Sequence, residues 1–284
     1  MVSFRNSQFR AIVISLVITD AVSQGRLPWE LNTATAIHCP GKASAAVDLA
    51  DDRWCQAIAM QLQSCDSING SVTLQPQPGS IPSEAIASPV DLLIRLPQLL
   101  SQLDLPSDSM YGPAGGPASA IAPRVMTAFH DCLQACLNQD LSALAFCHER
   151  FIQLPESGQA KGIAALAQAI ELVLAASGDM QLAVGQSLYW PTAIAGLPLL
   201  TGILSAAWGG LGSVPCRHRL WLEQPTDDLQ AWLQQRWRIP QATTLSAWAL
   251  TLWQRWAGQA LATTSLPLPA VVMPLSIHSE NSSL

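Results

Sequence analysis

Charge is what this chain of 284 residues has least of: Asp, Glu, Lys and Arg make up 12 % of it, about half the usual share. The net charge is -6, and no cluster of Lys and Arg is long enough to follow a phosphate backbone, which argues against nucleic acid as a partner. The seven cysteines, at 39, 55, 65, 132, 136, 147 and 216, form no Cys-x-x-Cys pair. No serine-hydrolase elbow, zinc-protease helix, Walker loop or dinucleotide fingerprint is present. The segment Tyr111 to Pro117 is glycine-rich, but no Lys-Ser/Thr follows it and no strand precedes it, so it reads as a connection. Strand-like composition is missing apart from Val271 to Met273. The first apolar run, Ala11 to Ile18, is only eight residues long and is broken by Thr19-Asp20, which does not suit a secretory signal. An odd number of unpaired thiols without such a signal fits a reducing cytoplasm.

What the chain does have is apolar residues, 49 % of the total, and helical spacing. The stretch on which the rest is organised lies between Met180 and Cys216, where no Asp, Glu, Lys, Arg or His occurs. It closes in Gly209-Gly210-Leu211-Gly212, then Pro215 and Arg217-His218-Arg219. As a membrane span it would have Trp190 and Trp208 at the interfaces and Arg217 and Arg219 on the cytoplasmic side. Pro191, Pro198 and five glycines between 196 and 212 weaken that reading. The favoured alternative is a helix over about residues 199–208, apolar all round because other helices surround it. Small residues at 202, 206 and 207 would let neighbours approach, and the Gly-Gly pair would stop the helix. A third reading is a metal-site helix that has lost its ligands.

Periodicity predicts further helices over residues 9–23, 57–62, 90–103, 124–138, 141–153, 162–176, 182–190, 227–237 and 244–261. The fold class expected is all-α, one compact multi-helix domain over residues 1–265. A Pro-punctuated polar tail occupies 266–284. Residues 69–89 and 106–123 read as loops. His130, Cys132, Cys136 and His148 tempt a metal reading. However, Phe129, Leu133 and Leu137 share the cysteines' face, so buried core thiols are the better reading. Seven of the ten tryptophans fall at 208 or later. Leu245, Trp248, Leu252, Trp253 and Trp256 form a stripe expected in the core or against a partner.

Two stretches carry a family resemblance. In the late one, running from Thr201 to Glu223, Gly202, Leu204, Ala207, Trp208, Gly210, Leu211, Pro215, Trp221 and Leu222 fall in step with a signature of the ADP-ribosylglycohydrolases. The opening helix resembles that family's first helix, which ends Gly-Asp-Ala-x-Gly. Asp20-Ala21 matches the Asp-Ala, while Thr19 and Ser23 stand where the glycines would be. Ile94-Arg95-Leu96-Pro97 is faintly similar to a Met-Arg-x-x-Pro segment of the family. The resemblance spans about residues 10–256 and implies a multi-helix fold of that kind. Asp20 itself reads more simply as a residue near a helix C-terminus bonded to nearby backbone.

The same resemblance locates a magnesium site and shows how this chain departs from it. The family carries Thr-Asp-Asp-Thr-Gln at a helix start, where oxygen ligands hold the hard cation. Anchoring on Gln56 puts Asp52, Arg53, Trp54 and Cys55 in the preceding places. Sliding by two residues matches Asp51-Asp52 to the paired aspartates, with Ala50 and Arg53 replacing both threonines. Asp51 and Asp52 also suit a helix N-terminus for the macrodipole alone. The family's second half, Gly-Asp-x-Asp-Thr, falls on Ala193, Ile194, Ala195 and Gly196, with Thr192 one place before. Without those carboxylates the activated water of a two-metal mechanism has no home. The expectation is a pseudoenzyme with no catalytic residues and no cofactor, acting as a binding or scaffolding protein for a protein partner, with Arg53 available to a phosphate of an ADP-ribose-like ligand. The first alternative is an active Mg2+-dependent hydrolase using Asp51 and Asp52 as metal ligands. The second is a membrane-associated protein.

Overall fold

The computed structural model describes residues 2–27, 29, 53–64, 121–152, 160–190, 194, 196–241 and 243–256, together with the single positions 93, 96 and 100. Among them the regular structure is helical and no strand occurs, so the all-α expectation holds. The helices are α1 (Val2–Ser23), α2 (Arg53–Ser64), α3 (Ile121–Asn138), α4 (Leu141–Ile152), α5 (Ala160–Ala175), α6 (Met180–Leu188), α7 (Leu197–Gly209), α8 (Cys216–Glu223), α9 (Asp227–Trp237) and α10 (Thr243–Trp256). Leu93, Leu96 and Leu100 are helical and buried, at the spacing expected for residues 90–103. The 266–284 tail and the 69–89 loop lie outside the described residues, as do Thr192, Ala193 and Ala195.

α7 is the hub. It packs against α1, α3, α5 and α6, and every residue from Leu199 to Ala207 is buried. A helix ringed by others has no need of a polar face. Pro198 sits at the start, where its missing N–H costs nothing. Gly210, at φ 62°, ends the helix in a conformation that side chains resist. With 13 residues, α7 reaches about 20 Å. Among the described residues no single helix is long and apolar enough to cross a membrane. α7 with its 3-10 turn and α8 pass that test only together, across an 88° bend. Trp208 and Trp190, the interfacial candidates, are half-buried against the core. His218, in the basic cluster after the turn, is buried and stacks on Trp29 with ring centroids 4.6 Å apart.

α1 is a buried helix, as its spacing indicates, but it starts earlier than residue 9. It begins at Val2, and from Gln8 to Val22 only Arg10 and Ile14 escape full burial. Two neighbours bury it: α7 covers one flank and α10 another. α2 starts four residues earlier than its periodicity indicates, at Arg53. α3 begins at Ile121, which brings Pro123 into a first turn that tolerates proline. The stripe on α10 holds as far as it is described: Leu245, Trp248 and Leu252 are buried and Trp253 is packed against the core.

Candidate functional site

The strongest concentration of polar chemistry in the described core surrounds Asp20. Its side chain is fully buried near the C-terminal end of α1. The last turn of α9 brings Arg236 to it as a fork: Nε donates to Oδ2 at 2.7 Å and Nη2 to Oδ1 at 2.9 Å. The neighbouring Trp237 indole N–H donates to Oδ2 at 2.9 Å. From α2, the Cys55 thiol donates to the same oxygen at 3.7 Å. Four donors thus meet a group with about four lone-pair positions. Trp54 completes the wall. Its ring lies 5.6 Å from the Arg236 guanidinium carbon and meets Trp237 edge-on at 5.5 Å.

This arrangement corrects the simpler reading of Asp20. The carboxylate bonds to side chains on two distant helices rather than to neighbouring backbone. Burial raises its pKa above the ordinary 3.8, and the Arg236 fork, the Trp237 indole and the Cys55 thiol pull the other way. A buried pair of this kind needs further hydrogen bonds to support it; here the Trp237 indole and the Cys55 thiol join Arg236 Nε at Oδ2, while Oδ1 takes the other arm of the fork. Arg236 is helped by its place at the negative end of α9. Asp20 is consequently a clamp joining α1, α2 and α9. A carboxylate so enclosed, with the chain's own donors around it, faces the interior and not a ligand.

The residues singled out for magnesium are only partly placed. Asp51 and Asp52 lie outside the described residues, immediately before α2 in the chain. Arg53 is the first residue of α2. Trp54, which takes a ligand's place in one alignment, is a core residue beside Arg236. Opposite them in the alignment, Ile194 is half-buried against the core and Gly196, at φ 78°, forms the left-handed entry to α7. Among the described residues no group of three or more His, Cys, Asp or Glu is placed to hold a metal ion. Cys132 and Cys136 are buried free thiols, as expected of core cysteines. Burial pushes both of their pKa values up.

Sequence reasoning missed Arg236, Trp237, Cys55 and Trp54 as partners of Asp20. An acid at the end of the apolar run of α1 is itself a signal that a partner exists. What the sequence does not reveal is which of the chain's cations that partner is, 216 positions away. Compared with models of protein families, with curated proteins and with solved structures, the chain matches none.

Proposed function

We propose that this protein is a catalytically inactive relative of the ADP-ribosylglycohydrolases that works in the cytoplasm as a binding or scaffolding subunit. The observation that carries the reading is the state of Asp20. It is the one acidic residue of the opening motif that resembles the family, and the chain's own Arg236, Trp237 and Cys55 occupy it. Two further features support it. The helices bearing the two resembling stretches, α1 and α7, pack directly along one another. At the start of α2, Trp54 is turned into the core instead of presenting an oxygen ligand. A fold that retains its packing signatures while the acid of its opening motif is held by the chain's own side chains is suited to holding a partner rather than to hydrolysis.

Calorimetry with magnesium and with ADP-ribose, beside a turnover assay on an ADP-ribosylated arginine or serine peptide, tests this. The expected outcome is no turnover and no tight magnesium binding, with ADP-ribose binding supporting a sensor role. Magnesium-dependent turnover abolished by Asp52→Ala would overturn it in favour of the reduced hydrolase.

A further inference from the structure

We draw no further inference here: the strongest candidate, the outward surface of α4 on which Leu141 and Phe146 stand exposed, is an unpartnered apolar face, and nothing in the structure shows what covers it.

Discussion

α1 meets its neighbours in two contrasting ways. Along α7 the contact is made of small residues and is close: a methyl group added at Gly202 would stand 2.5 Å from Cγ2 of Thr19. Towards α9 and α2 the contact is a buried charge with four donors around it. The first is held by packing density, in which each added or missing carbon is felt. The second is held by stoichiometry, in which each donor removed leaves a desolvated oxygen behind. An apolar seam degrades gradually with substitution. A buried ion pair fails when either partner is lost.

That contrast sets the expected order of effects. Arg236→Ala should be the most damaging change. It strands Asp20 in the core, and breaking a buried pair in this way costs about 3–5 kcal/mol. Urea denaturation measures it, and a loss under about 0.5 kcal/mol, the range of an ordinary surface site, would mean that the clamp is not closed in solution.

Substitutions in the seam should cost less. Gly202→Ala overpacks the approach to Thr19 and should lose about 1–3 kcal/mol. Thr19→Ala introduced into that variant should recover much of the loss by removing the opposing methyl group. Failure of the second change to help would place the strain elsewhere. Gly178→Ala belongs to the same class, with two causes acting at once. Its φ is +79°, and the new carbon would lie 2.1 Å from Cδ1 of Trp208.

These two regions also differ in how far the sequence discloses them. The α7 hub was legible because its cause is local. A charge-free run with Pro at one end and Gly-Gly at the other favours a short buried helix. α1 was legible as a buried helix, but the elements that bury it were not, since α7 and α10 lie far along the chain. The Asp20 clamp was half legible. The anomaly of an acid at the end of an apolar run is visible in the sequence, but its partner arises from tertiary packing. Arg236, in the final turn of α9, also looks like an ordinary favourable charge at a helix C-terminus. The magnesium comparison rested on Asp51, Asp52 and Arg53. Of these, only the backbone of Arg53 is described, as the start of α2.

The smallest expected effect concerns pH. The folded-state pKa of Asp20 is raised above 3.8 because burial outweighs its partners. Between 3.8 and that raised value the folded chain binds more protons than the unfolded one. The contribution of this group is therefore fully present below 3.8 and is lost as pH rises through the folded value. Relative to Asp20→Asn, the wild type should gain stability as pH falls from neutrality towards 3.8 and then level off. A wild type that loses ground on acidification would show that the Arg236 pairing dominates the desolvation.

The central claim is that Asp20 and Arg236 form one structural unit. A double-mutant cycle on stability tests it most directly, using Asp20→Leu and Arg236→Met singly and together. The expected result is that each single change is strongly destabilising, while the double variant loses much less than the two losses combined and remains folded, because an apolar pair can replace a buried ion pair. Losses that simply add, within about 0.5 kcal/mol, would contradict it and show that the two residues act independently.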